Sequence, residues 1–362
     1  MSAAPTIDRA GIQRLLSRRQ PVQNLDLSGQ DMSGFNLAGA LIQSCVLKAS
    51  RFPACDLSGS VLVDCDLTGA DLSGALFANT NLIRCRLVEA AMPAQPVLQC
   101  TLSECDLSHA AWDGADIRLS VFNQCVLSSA RLRRSRWLRS AAVAARLDGA
   151  DLSGSIFDQV ALNDTDLADT RLAGIEARTT LFMNARLAGQ DLKGLVLNRC
   201  NFDGADFSGA RLEATGFSQC LCRNAQFIGA AMAGIRADNA LFLGATLADV
   251  DLRDALLEGA VFQEATLRNV RLDGARLTRS VWDKSHHDNV SFAGADLSHA
   301  RFAHARGGNV DLGHTILDYC RLHDLQFSPV SYRGAKRRKA LGTDTALLAA
   351  ESRTLHLEQS LS

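Results

Sequence analysis

Rings and kinks are scarce in this chain: aromatic side chains make up 6% of its 362 residues, and there are only 6 prolines. Other absences bear more directly on function. No stretch approaches the ~18 consecutive apolar residues of a membrane-crossing helix, so no membrane span is expected. The opening MSAAPTIDRAGIQRLLSRRQP sets its basic residues among and after the apolar ones and lacks an apolar core, so it does not read as a secretory leader. A cytoplasmic location is the expectation that follows. No G-x-S-x-G, H-E-x-x-H, P-loop or C-x-x-C occurs. A surplus of either charge is missing too, since the net charge is −1. What charge there is sits unevenly: residues 1–23 and 333–362 each carry a net +3, leaving a mildly acidic body of about −7. That distribution argues against a general nucleic-acid binder.

What the chain does contain is one unbroken period. Stepping by five from Leu27 to Tyr332 visits 62 positions without an insertion or deletion, and 56 of them are large and apolar. The exceptions are Ala142, Ala177, Cys222, Ala237, His287 and Gly307. A helix repeats every ~3.6 residues and a strand every 2, so neither explains a five-residue spacing. Two residues before each Leu or Phe stands a small side chain, and two residues after it most of the 27 glycines are found, as at Gly29, Gly69, Gly74, Gly204 and Gly209. Glycine relieves the cost of positive φ. The pattern therefore predicts a short extended piece and a corner in every pentad, with the small and large residues inward and the residue between them outward. Separate domains joined by linkers would break the phase, so residues 24–332 are expected to form one domain.

The motif small–(Asp/Asn/Arg)–(Leu/Phe)–X–Gly, as in CDLTGADLSGALF at residues 65–77, resembles the pentapeptide-repeat proteins over about residues 24–332. The resemblance implies an all-β solenoid, a right-handed quadrilateral β-helix with four pentads per 20-residue coil. Sixty-two pentads then give about 15 coils, stacked at ~4.8 Å into a rod of roughly 75 Å. Ends of such stacks need caps. Residues 1–23 are predicted to supply an N-terminal helical cap through Ile12, Leu15 and Leu16, with Thr6 or Asp8 as N-cap. Residues 333–362 hold a basic run, Lys336, Arg337, Arg338 and Lys339, followed by a predicted C-terminal helix with Thr343 as N-cap. In related folds such a helix caps the rod or forms a homodimer; the sequence leaves both open. Pro93 and Pro96 suggest a local distortion, and HHDNV and RGGNV suggest others near the C-terminal end.

Eleven cysteines raise metal and disulfide chemistry. Ten (Cys45, Cys55, Cys65, Cys85, Cys100, Cys105, Cys125, Cys200, Cys220 and Cys320) occupy the small inward position, and Cys222 takes a large one. Core packing is the first reading. Spacing alone permits a disulfide between neighbouring coils, whereas a reducing compartment opposes it. Six of the eight histidines lie between 286 and 323, but only His304 and His323 should be neighbours, too few for a four-ligand zinc site. No catalytic, cofactor-binding or metal site is therefore expected, and no enzyme activity.

Residues 20 apart should stack into outward columns. One reads Asp31, Arg51, Asp71, Ala91, Ala111, Arg131, Asp151, Arg171, Asp191, Arg211 and onward; another reads Asp66, Arg86, Asp106, Val126, Arg146, Asp166, Arg186, Asp206. Their alternating signs suit a self-satisfied surface. A third column differs: ten of its thirteen members are apolar, among them Leu41, Val61, Val121, Leu181, Leu221, Leu241, Val261 and Val281. Val63, Ile83, Val143, Met183 and Leu243 are expected beside it. This band reads either as a protein-binding face or as β-propensity on half-shielded strands. The segment RLRRSRWLRS gathers Arg131, Arg133, Arg134, Arg136 and Arg139 around an inward Trp137. It reads as a site for an acidic partner or as a solvated patch.

The expectation is a non-enzymatic interaction scaffold for a protein partner, with no nucleic acid, membrane or cofactor. Two roles implied by the resemblance compete. One is an adaptor accompanying a bacterial secretion system such as type VI. The other is a DNA mimic that regulates a type II topoisomerase such as gyrase, which requires a strongly acidic face and usually a dimer.

Overall fold

The structure is a computed structural model and describes residues 5–352. It is a β-solenoid that resolves into two compact units, Met1–Gln190 and Asp191–Ser362. In both, the large residue of each pentad points inward between two outward neighbours. Leu62, for example, is 1% exposed between half-buried Val61 and Val63. The small residue two places earlier is buried as well, and where it carries a hydroxyl it is paired. Ser50 Oγ donates to the Leu47 carbonyl at 2.6 Å and Thr80 Oγ1 to that of Leu57 at 2.8 Å. Small polar groups are thus tolerated inside because a backbone acceptor lies within reach.

The corner follows at the predicted place. Gly69 has φ +66°, and nothing lies within 4 Å of where its Cβ would stand. The same left-handed geometry is taken by Asp64 (φ 53°), Arg84 (φ 50°) and Gln124 (φ 53°). Glycine is therefore favoured at this position without being required. An open corner leaves a larger residue only its intrinsic left-handed cost of ~1–2 kcal/mol.

Strands pair in parallel with a register of twenty residues, so Leu62 sits between Ile42 and Leu82. In the first unit one sheet runs through Val22–Gln23, Leu41–Gln43, Val61–Val63, Asn81–Ile83, Thr101–Ser103, Val121–Asn123 and Ala141–Val143. A second runs through Val97–Leu98, Asp116–Arg118, Arg136–Leu138, Ile156–Asp158 and Glu176–Arg178. In the second unit the sheet contains Gln226–Ile228, Thr246–Ala248, Thr266–Arg271, His286–Ser291, Arg306–Asp311 and Gln326–Phe327. Val330–Ser331 also pairs with Arg306–Asp311.

The last sheet corrects one expectation. HHDNV and RGGNV are not distortions; they lie in two of the longest strands, His286–Ser291 and Arg306–Asp311. Their left-handed asparagines are tied by an amide ladder, in which Asn309 Nδ2 donates to Asn289 Oδ1 at 2.6 Å and Asn289 Nδ2 to Asn269 Oδ1 at 2.8 Å. The ladder lets pairing continue around the corner. Pro93 and Pro96 do mark a bend, which leaves Gln95 exposed at a normally inward position while Val97 keeps its partner Ile117.

At the N-terminal end the helix Arg9–Ser17 (α1) buries Ile12, and Leu15 and Leu16 are half-buried. Asp8 is its N-cap and accepts from the Gly11 N–H, whereas Thr6 extends the ladder by pairing with Asp26. Arg9 lies 4.2 Å above the Phe35 ring and donates to the Asp31 carbonyl. At the other end bridges continue beyond Tyr332 to Lys336 and Leu341, so the basic run lies within a coil. Residues 345–352 are helical. Asp344, not Thr343, is the N-cap: its carboxylate accepts from the Ala346 and Leu347 N–H groups at 3.0 Å. Thr343 instead accepts from the Asp324 N–H. Among the described residues no helix is long and apolar enough to cross a membrane.

Candidate functional site

The apolar column stands on strands whose inward residues form the core, so its own side chains have nowhere to go but outward. In the first unit Leu41, Val121 and Leu181 are 38–39% exposed, and Val61 is half-buried. Val63, Ile83 and Val143 stand half-buried beside them, with Met183 exposed. In the second unit Leu221, Leu241, Val261 and Val281 are half-buried, as is Leu243. Beneath them Phe242, Phe262, Trp282 and Phe302 stack at centroid spacings of 4.7, 4.2 and 5.8 Å.

The first-unit column contains a depression. Ala141 and Ala161 are short side chains flanked along the column by Val121 and Leu181, and the dip between them measures about 470 Å³. Ser140 and Val160 line its floor and Leu119, Arg139, Gln159 and Thr179 its rim. Leu119 is 47% exposed and escaped the sequence reading because it occupies a corner, where outward columns are not counted. A leucine at a corner that elsewhere takes Gly, Ala or, with rare exceptions such as Tyr319, a polar residue is the signal that could have found it. No carboxylate, imidazole or thiol lines the depression. It can bury apolar side chains, and the polar groups around it are the Ser140 and Thr179 hydroxyls, the Gln159 amide and the Arg139 guanidinium.

The arginines around Trp137 fan out over several positions. Arg133 holds Asp113 through Nη2 at 2.7 Å, and Arg131 approaches the same carboxylate at 3.9 Å. This pairing keeps the Asp113 carboxyl below the usual range, the Arg133 hydrogen bond being the largest cause. Arg134 takes a left-handed corner with its Cγ against Gly154, and Arg136 is exposed. Arg139 donates to Gln159 at 3.2 Å and is the member that reaches the apolar depression. Trp137 is 2% exposed and donates to Ser135 Oγ at 2.9 Å.

The alternating charge columns form part of their expected rungs: Arg171–Asp151 at 3.8 Å, Arg186–Asp166 at 2.5 Å and, in the second unit, Arg211–Asp191 at 2.9 Å. Arg146 turns instead to Asp148. The aspartates also have a task that charge counting misses. Asp26, Asp56 and Asp71 each accept the N–H two residues on, closing a turn before the corner. Hydrogen bonds from the serine at that position, hydroxyl first and backbone second, hold these carboxyls below their usual range.

In the second unit the apolar column ends in two arginines, Arg301 and Arg321, facing each other across a bridge. Arg301 is held by Asp283. His304 and His323 are neighbours as their spacing suggested, with ring centroids 5.2 Å apart. All eleven cysteines are buried. Burial pushes the Cys45 thiol up to about 11 and the Cys55 thiol up to about 12.

Comparison with known proteins completes the picture. A family model described as pentapeptide repeats matches residues 60–92, 100–136, 145–178, 180–219, 220–259 and 245–281. No curated protein matches. Among solved structures, the chain is similar to a pentapeptide-repeat protein from the Arabidopsis thaliana thylakoid lumen, at 32% identity over 32% of this chain and 67% of that one, with a TM-score of 0.21. It is also similar to QnrB1, a plasmid-mediated fluoroquinolone resistance protein, at 19% identity over 90% and 98% of the two chains and a TM-score of 0.17. HetL, involved in heterocyst differentiation regulation in the cyanobacterium Nostoc, is 20% identical over 92% and 94%, with a TM-score of 0.13.

Proposed function

The chain belongs to the pentapeptide-repeat family, and from that premise we propose that it is a non-enzymatic scaffold that docks a protein partner on its apolar face. The observation that carries this reading is the first-unit depression. Val121, Leu181 and Leu119 stay 38–47% exposed around two alanines, although the pentad pattern could place charge at each position. Exposed apolar clusters of this kind mark interaction surfaces, and burying one is worth about 25 cal/mol per Å² before ordering costs. A DNA-mimicking role toward a topoisomerase is less well supported. It needs an uninterrupted acidic face, whereas Asp151 and Asp166 are held by Arg171 and Arg186. The secretion-system adaptor is the finer version of the scaffold reading and rests on the family resemblance alone.

The test is affinity capture followed by measured binding of the captured partner to wild type, to Val121→Asp/Leu181→Asp and to Leu241→Asp/Val261→Asp. All three proteins should show the same circular dichroism, because the substituted side chains stand on the outward face and none belongs to the core. The expected result is binding that resists added salt and falls at least about tenfold in the first variant, the loss of roughly 1.4 kcal/mol. Binding unchanged in both variants, or binding abolished by salt alone, overturns the apolar-face reading.

A further inference from the structure

His304 and His323, brought together by the coil repeat, are met by Glu351 from an element that no pentad count relates to them. His304 stands at a corner, His323 follows an inward leucine one coil on, and Glu351 comes from the C-terminal helix. Glu351 Oε2 lies 3.3 Å from His304 Nε2 and 3.2 Å from His323 Nε2. All three ligand atoms fall within 4.8 Å of one another. A tetrahedral ion with bonds of about 2.0 Å separates adjacent ligand atoms by about 3.3 Å, so both nitrogen–oxygen separations have the length of a coordination edge.

Proton counting points the same way. His304 Nδ1 faces the Asp324 carboxylate at 3.1 Å, and Asp324 is fixed in turn by Gln326 Nε2 at 3.1 Å. A neutral imidazole has one N–H. Given to Asp324, it leaves Nε2 presenting a lone pair to the Glu351 oxygen, a pair of acceptors that calls for a cation between them, either a metal ion or a second proton on the ring. A carboxylate behind the far nitrogen is also the arrangement that orients metal-binding histidines. We infer that His304, His323 and Glu351 form a binding site for a divalent transition-metal ion of the zinc type, with Asp324 as the positioning residue and the fourth position open. Two imidazoles and one carboxylate suit zinc better than calcium or magnesium, which take oxygen ligands.

One contact opposes loading and gives the site a signature. His323 Nδ1 accepts from the Asp344 N–H at 3.2 Å, which places the ring proton on Nε2, toward Glu351. Coordination through Nε2 shifts that proton to Nδ1 and turns Nδ1 into a donor. The Asp344 N–H must then turn away, so metal binding switches the ring's tautomer and moves the cap of the C-terminal helix.

The experiment titrates the full chain, stripped with a chelator, with zinc chloride by calorimetry at pH 7.5, and records cobalt(II) spectra in parallel. The expected result is one zinc per chain and the visible bands of four-coordinate cobalt without thiolate charge transfer, which separates this site from the buried cysteines. Glu351→Gln should weaken binding at least tenfold. Asp324→Asn should weaken it by about 10–100-fold, and exposed His286→Ala should leave it unchanged. Because Glu351 lies on the terminal helix, Glu351→Gln tests the site even if His304→Ala disturbs the coils. Hydrogen exchange should show zinc changing the Asp344 amide and slowing exchange across 345–352. No saturable site, equal zinc uptake by Glu351→Gln and wild type, or a helix that is tightened by acid and indifferent to zinc would each overturn the assignment; in the last case the cation is a proton.

Discussion

His287 stands where the repeat would place a leucine, wholly buried, 5.6 Å from the Trp282 ring and 5.0 Å from that of Phe327. Its one polar contact is Nε2 to Ser285 Oγ at 2.8 Å. The serine hydroxyl already donates to the Trp282 carbonyl at 2.6 Å, so the ring must be the donor. Nδ1 is left as a buried lone pair with no hydrogen-bond partner. Burial, assisted by neighbouring His286, pushes the ring's pKa down to about 3. The sign follows directly. The unfolded ring takes a proton near pH 6.5 and the folded ring does not, so this contribution to stability is full above about 6.5 and shrinks as pH falls toward 3. Urea midpoints should therefore drop between pH 7.5 and 5.0, at up to about 1.4 kcal/mol per pH unit below 6.5. His287→Leu should flatten that slope; a slope unchanged by the substitution would place the proton uptake elsewhere.

At the level of the element, departures from the repeat come in pairs. Ala142 lies beside Phe122 on paired strands and Ala177 beside Phe157, so a small residue in one coil makes room for a ring in the next. Gly307 answers His287 in the same way. It has φ +153°, and a Cβ there would lie 1.7 Å from the His287 carbonyl oxygen. Gly307→Ala should part the strands His286–Ser291 and Arg306–Asp311 at a cost of about 3 kcal/mol, read as a lower thermal midpoint with faster exchange of the Val290 and Val310 amides. An unchanged midpoint would mean the backbone there relaxes freely. These pairs show what was legible and what was not. The inward and outward assignment of residues such as Leu62 and Val61 follows from a constraint repeated every five residues. HHDNV was misread because its compensation lies twenty residues away, in an asparagine ladder and a glycine that no local pattern announces. Aspartates such as Asp71 were read as surface charge for a related reason, since a turn-closing carboxylate and a solvated one leave the same letter.

For the whole molecule, all eleven thiols are buried, in both units. Desolvation raises those of Cys45, Cys55 and Cys220, and the thiolate is the reactive form; the Cys125 thiol, held lower by its hydrogen bond with Cys105, is shielded by burial alone. A disulfide reagent should accordingly find none of the eleven at pH 8 in native buffer and all of them in denaturant. Rapid native labelling would show that a coil opens on its own. The candidate site was legible where it follows the period, in Val121 and Leu181. It was hidden where it leaves the period, at Leu119 on a corner and at Glu351 on a helix. The twenty-residue register has a further consequence, for folding. Because most pentads offer the same small-and-large pair, a coil threaded five residues out of step would bury nearly the same groups as the native one. Propensity and hydrophobicity barely separate the two threadings. The misfits separate them, since a slipped coil would part Ala142 from Phe122 and Ala177 from Phe157 or drive His287 into a backbone with no glycine to receive it. The irregular residues therefore act as registration marks, and a chain regularised to leucine throughout would fold into many alignments in place of one.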